Sequence, residues 1–129
     1  MTTDKLAPFR GQKYLNLETL KRDGRGVQTP VWFVLRENGA FYAYTEAGSW
    51  KVKRIRRNSR VRVAPCTWRG NVIGPWEVGR ASFVGGEEER TASGLLDRKY
   101  FLKKIFNLLA RLRRHERVML RIELAELPR

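Results

Sequence analysis

The chain predicts a small antiparallel β-barrel of six strands, mainly β with α, whose open side is covered by helix. Three observations carry that reading. Alternating apolar and polar residues recur from Lys13 to Val84 between clear turn signals; Glu87 to Arg114 holds no proline and repeats apolar residues at helical spacing; and strand alternation returns at Arg117 to Leu127. A chain of 129 residues with a 42% hydrophobic fraction fills one modest core, so residues 1–129 are expected to form a single domain.

The first strand is expected over Lys13 to Leu20, with Tyr14 and Asn16 on one side and Leu15 and Leu17 on the other, ending at the turn Arg22-Asp23-Gly24-Arg25-Gly26. Val27 to Leu35 follows as one strand with apolar residues in both parities, which marks it as central and in need of cover on both faces. Pro30 removes a ladder donor, so a bulge or break in pairing is expected there. After the Glu37-Asn38-Gly39 turn, Ala40 to Thr45 is the third strand. Ser49 is a good N-cap, Val52 and Ile55 share a helical face and Asn58 is a plausible stop, predicting a helix from Trp50 to Arg57. Arg60 to Cys66 is the fourth strand, with Val61 and Val63 inward, and Pro65 is expected to end its pairing.

The fifth strand should run from Trp76 to Val84 with Trp76, Val78, Ala81 and Phe83 buried, and the change of parity implies a bulge at Gly79. The helical stretch carries its apolar stripe at Phe101, Ile105, Leu108 and Leu112 with a basic back, and Gly94 is a candidate division into two helices. The sixth strand, Arg117 to Leu127, places Val118, Leu120, Ile122 and Leu124 on one face.

Composition narrows the function classes. The chain lacks a run of about 18 apolar residues, and Met1 to Lys5 has no signal-like apolar core, so a soluble cytoplasmic protein is expected. Cys66 and His115 are the sole cysteine and histidine, which excludes an intramolecular disulfide and argues against a metal cluster or a Cys–His pair. A net charge of +14, from 27 Lys plus Arg against 13 Asp plus Glu, calls for an anionic partner: nucleic acid, acidic membrane or a polyanionic cofactor.

The segment Thr45 to Asn58 is a candidate phosphate site, because unpaired N–H groups at the helix N-terminus, the Ser49 hydroxyl and the Lys51 ammonium together suit a phosphate. The same segment, taken alone, also fits an ordinary capped basic surface helix. Seven basic residues from Lys51 to Arg62, with aromatics such as Trp68, also describe a nucleic-acid face, although no recognised nucleic-acid motif is present and this reading ranks last. No catalytic acid–base dyad stands out, and the catalytic residues stay unassigned.

The order Gln28-Thr29-Pro30-Val31-Trp32-Phe33, then Tyr44-Thr45-(x3)-Ser49-Trp50-Lys51-Val52-Lys53, then Arg60-Val61-(x2)-Ala64-Pro65-Cys66 and Gly74-Pro75-Trp76, resembles the pyridoxamine phosphate oxidase-like split-barrel flavoproteins. Within them it is similar to the branch associated with coenzyme F420-dependent oxidoreductases. The resemblance implies an FMN-binding type of split barrel and a homodimer that holds FMN or coenzyme F420 in a groove between subunits. It makes Thr45, Ser49 and Lys51 phosphate ligands and Pro30, Val31 and Trp32 the lining of the ring, with Trp50, Lys53 and Trp76 as further cofactor-binding candidates. It implies an oxidoreductase acting on a small molecule; the alternative is a flavin- or haem-binding protein without turnover. Lys53, Arg54, Arg56, Arg57 and Arg60 could supply a basic path for the polyglutamate tail of coenzyme F420, which favours it over FMN. One departure is Asn58-Ser59, where relatives usually have Asn-Pro.

Overall fold

The computed structural model describes residues 4–100 and 117–125. After a short 3-10 turn at Ala7–Phe9 come strands β1 (Tyr14–Leu20), β2 (Gly26–Trp32), β3 (Val34–Leu35) and β4 (Phe41–Glu46). Helix α1 (Trp50–Arg57) leads to β5 (Arg60–Cys66) and β6 (Glu77–Val84), then α2 (Gly86–Lys99) and β7 (Arg117–Leu124). The described residues are thus mainly β with two helices. All pairings are antiparallel, in the order β2-β1-β5-β6-β7-β4-β3.

Among the described residues the expected six strands are seven, and no hydrogen bonds close the sheet. The extra strand arises because Val27 to Leu35 does not run through: it breaks at Phe33 into β2 and β3, which occupy the two edges of the sheet. The chain therefore leaves β1 and joins β4 within one residue. What permits this is an alternative set of partners for the Phe33 backbone. The Tyr100 hydroxyl accepts the Phe33 N–H at 2.8 Å and lies 2.6 Å from both the Phe33 and Lys13 carbonyls. Lys99 Nζ donates to the Phe33 carbonyl at 2.9 Å, so two donors serve two carbonyls and both backbone groups of Phe33 are paired.

Several local expectations are corrected by the same geometry. Pairing passes through Pro30 without a bulge, because β2 is an edge strand rather than a central one and needs no donor on its outer side. Pro65 stays paired to Leu15, and β5 ends its β6 ladder earlier, at Val63. Gly79 lies in unbroken register with both neighbours; an ideal Cβ there would come 2.6 Å from the Glu123 carbonyl, so its role is close approach of β7. Without a bulge, Val78 belongs to the outer face with Arg80, and Trp76 precedes the strand and is half-buried. Gly94 lies inside α2, which ends at Lys99 as the chain turns extended at Tyr100. The apolar stripe from Phe101 to Leu112 and the end of the last predicted strand lie outside the described residues.

Two apolar clusters hold the sheet. Inside, Phe9, Leu15, Leu17, Phe33, Phe41, Val63, Leu120 and Ile122 are fully buried, and α1 adds Ile55 to this core and buries Val52 as well. Outside, Tyr42 and Met119 of β4 and β7 pack under Ala92 and Leu96 of α2. Each strand of this half contributes to both clusters by alternation, and α2 is the layer that covers its second face. No helix among the described residues is long and apolar enough to cross a membrane.

Candidate functional site

The seam where β2 approaches β4 without pairing to it holds a cavity of about 390 Å³. One wall is β2 itself, through Pro30, Val31 and Trp32. The opposite wall is the end of β4 and the start of α1, through Thr45, Ser49 and Lys51. Leu96 and Asp97 of α2 with Tyr100 just past its end form a third side, and Tyr14, Tyr44, Glu46 and Trp68 complete the lining.

The wall at α1 follows from its capping chemistry. Ser49 is extended, its Oγ accepts the Val52 N–H at 3.3 Å, and the helix it starts runs Trp50–Arg57, the span read from the sequence. Serving as the cap acceptor leaves the Ser49 hydroxyl proton free to donate into the cavity. Lys51, in the first turn, is half-buried. Its pKa is lowered, first by burial and then by repulsion from Arg54, while Glu46 acts in the opposite direction. Among the described residues no carboxylate forms an ion pair with it. Thr45 is buried on β4 opposite Val118.

The opposite wall is flat because Tyr100 stacks on Trp32, with ring centroids 5.1 Å apart and planes 20° from parallel. Burial pushes the Tyr100 phenol far above its ordinary range, so it is a permanent hydroxyl rather than a titrating group. Burial also lowers the Lys99 ammonium to about 8, although it sits 3.7 Å from the centre of the Phe33 ring. Between pH 8 and 10.5 the unfolded chain keeps a proton on Lys99 that the folded protein has released, so the Lys99 contribution to stability rises with pH through that window and is lowest below pH 8. Urea midpoints should therefore show Lys99→Met gaining on the wild type as pH falls from 10.5 to 8, and no further below 8.

Six of the nine residues singled out from sequence, Pro30, Val31, Trp32, Thr45, Ser49 and Lys51, surround this one cavity. The other three do not line it. Trp50 is 71% exposed, with Lys53 Nζ 4.5 Å above its ring, so the two pair with each other. Trp76 lies under the Arg62 guanidinium at 4.9 Å, and Arg62 is itself held by the nearly buried Glu18 through bonds of 2.6 and 2.9 Å. Of the expected basic path, Arg54 donates to Thr19, Arg57 to the Leu20 carbonyl, and Arg56 covers Phe83. Sequence reasoning missed Tyr14, Glu46, Asp97 and Tyr100. Tyr14 shares the outward parity of the strand, a usable signal; nothing local marks Asp97 or Tyr100, because the turn that ends α2 has no breaker residue.

The family model of pyridoxamine 5'-phosphate oxidase matches residues 2–127, and the chain belongs to that family. No curated protein matches the chain. Among solved structures, the fold is similar to HutZ, the heme storage protein from Vibrio cholerae, with a TM-score of 0.71 at 15% identity over 92% of this chain and 85% of that one. A conserved hypothetical protein from Mycobacterium tuberculosis gives 0.65 at 18% identity over 98% and 83%. An FAD-binding protein from Mesorhizobium loti gives 0.62 at 18% identity over 93% and 84%. At these identities the likeness is one of fold, the split barrel.

Proposed function

We propose that the protein is an oxidoreductase that binds a flavin-type cofactor, FMN or coenzyme F420, in the β2–β4 cavity and transfers hydride to or from a small molecule. The observation that carries this is the pairing of two unlike walls. At one, a half-buried ammonium without a carboxylate ion pair among the described residues stands beside two hydroxyls; at the other lies a flat Pro-Val-Trp surface. The first suits a phosphate and the second a planar ring. Lys51 would neutralise the phosphate, Thr45 and the free Ser49 proton would donate to it, and Trp32, fixed by Tyr100, would orient the ring. When bound, such a cofactor supplies the hydride chemistry itself. The chain's part is to place it and exclude water.

FMN carries a single phosphate, which this donor set matches. Coenzyme F420 adds a polyglutamate tail, for which Lys53, Arg54, Arg56, Arg57 and Arg60 are the expected path; Arg54 and Arg57 of that set turn toward β1. Difference spectra of the purified protein titrated with FMN, coenzyme F420 and haem test the proposal. Saturable binding of FMN or the deazaflavin, followed by reduction of the bound cofactor, supports it; binding of none overturns it. The likeness in fold to a heme storage protein favours a second reading, cofactor binding without turnover, and bound cofactor that never changes redox state would select that reading.

The same reading includes a homodimer. Trp68, which lines the cavity, is 66% exposed, Ile73 of the same β5–β6 connection is 54% exposed, and the apolar residues of β2 are only half-covered. A second copy over this side would bury them and could bring the partner's Trp76 toward the cofactor. Light scattering should give twice the chain mass; a monomer at micromolar concentration would remove the two-subunit groove.

A further inference from the structure

The fold gathers arginines from four places, the β1–β2 turn, α1, β5 and β6, around the C-terminal end of α1. Arg57 Nη2 donates to the Leu20 carbonyl at 2.9 Å, which sets the end of α1 beside Lys21 and Arg22 of the β1–β2 turn. Arg54 Nε donates to Thr19 Oγ1 at 2.7 Å on the same strand. Next along the chain, Arg60 of β5 lies directly opposite Arg80 of β6, and Arg80 Nη1 donates to Ser59 Oγ at 3.1 Å. Like charges placed face to face across a ladder cost stability, so this pairing is tolerated rather than favoured by folding.

What sets these groups apart from an ordinary solvated face is how they are held. Among the described residues Arg54, Arg57 and Arg80 donate to neutral oxygens and form no ion pair, although Glu123 of β7 lies across the ladder from Arg80. The nearby carboxylates are engaged elsewhere: Asp23 by Arg25, Glu18 by Arg62 and Glu123 by Arg121. Helix α1 contributes no acid at all.

We propose that this face, formed by Lys21, Arg22, Arg54, Arg57, Arg60 and Arg80, docks the phosphodiester backbone of a nucleic acid. Guanidinium forks match phosphate oxygens two at a time, and five of the six cations are arginines. Binding through the backbone needs no base-reading motif, which is consistent with the lack of one in the sequence. A membrane surface is the poorer match, because among the described residues the exposed large apolar ones, Trp50, Trp68, Val72 and Ile73, lie at the start of α1 and in the β5–β6 connection. Along α1, Arg57 lies roughly 9 Å from Lys51, whereas Arg54 is within one turn of it and acts on its charge, so the face meets the cofactor cavity at Arg54.

The test is fluorescence anisotropy with a labelled 20-nucleotide DNA, single-stranded and as a duplex, against the full chain. Saturable binding at 50 mM salt that weakens about 100-fold at 200 mM is expected for some four phosphate contacts. The Arg22→Glu, Arg60→Glu double variant should lose at least tenfold at 50 mM while its circular dichroism is unchanged; if it does not fold, Arg22→Glu alone should lose severalfold. Absence of binding at 50 mM, binding indifferent to salt, or binding indifferent to these substitutions in a folded variant would overturn the proposal. So would tighter binding to polyglutamate or to phosphatidylserine vesicles than to either DNA.

Discussion

Tyr100→Ala is expected to lower the unfolding free energy by about 3–5 kcal/mol, the range for deleting a buried aromatic side chain. Tyr100→Phe should cost about 1–3 kcal/mol, because it keeps the ring on Trp32 and removes only the hydroxyl. The reason for so large an effect is the position of that hydroxyl at the break between β2 and β3. It accepts the Phe33 N–H, and with Lys99 it covers the carbonyls of Phe33 and Lys13. Without it the Phe33 N–H is left buried and unpaired, and the chain loses its anchor where it crosses from one sheet edge to the other. Urea unfolding of the wild type and both variants measures the difference. A Tyr100→Phe variant as stable as the wild type would show that the break is held by apolar packing alone. Because the same ring backs Trp32, the alanine variant should also weaken flavin binding, whereas the phenylalanine variant should leave it near the wild-type value.

The contrast between Tyr100 and Ser49 explains which parts of this protein could be read in advance. Ser49, the apolar pair Val52 and Ile55 and the terminal Asn58 lie within ten residues, and local chemistry alone defines α1 with its correct ends. The alternation of Arg60 to Cys66 likewise determines β5 and its faces. The break at Phe33 depends on a hydroxyl 67 positions away, so no feature of Val27 to Leu35 could reveal it. Pro30 looked like the breaker, yet an edge strand absorbs a proline without loss, and edge position is a property of the whole sheet. Gly79 was misread for a similar reason: its small size answers to the Glu123 backbone, not to its own strand.

The cavity divides along the same line. Its α1 wall and its Pro30–Trp32 wall come from two contiguous motifs, and both were legible, while the side supplied by Leu96, Asp97 and Tyr100 depends on where α2 stops. The basic residues show the limit of charge counting. Lys51 and Lys53 are two apart on one helix and are equivalent in composition, but about 200° of helical rotation separates them. One faces the cavity and the other stands over an exposed tryptophan.

That separation yields the sharpest test of the cofactor reading. Lys51→Ala should weaken FMN binding by about 1–3 kcal/mol, roughly 10- to 100-fold, by removing the one ammonium that lines the phosphate wall among the described residues. The loss should be greatest at low salt and neutral pH; burial and Arg54 lower the Lys51 pKa, so raising the pH toward that lowered value should erode wild-type affinity while leaving Lys51→Ala nearly flat. Lys53→Ala should have little effect, since its ammonium is engaged with Trp50 outside the cavity. Fluorescence titration of the three proteins measures all of this directly. Equal losses for both lysines would mean that only the general positive field matters. A silent Lys51→Ala in a folded protein that still binds FMN would move the phosphate away from the start of α1 and remove the argument that orients the cofactor in the cavity.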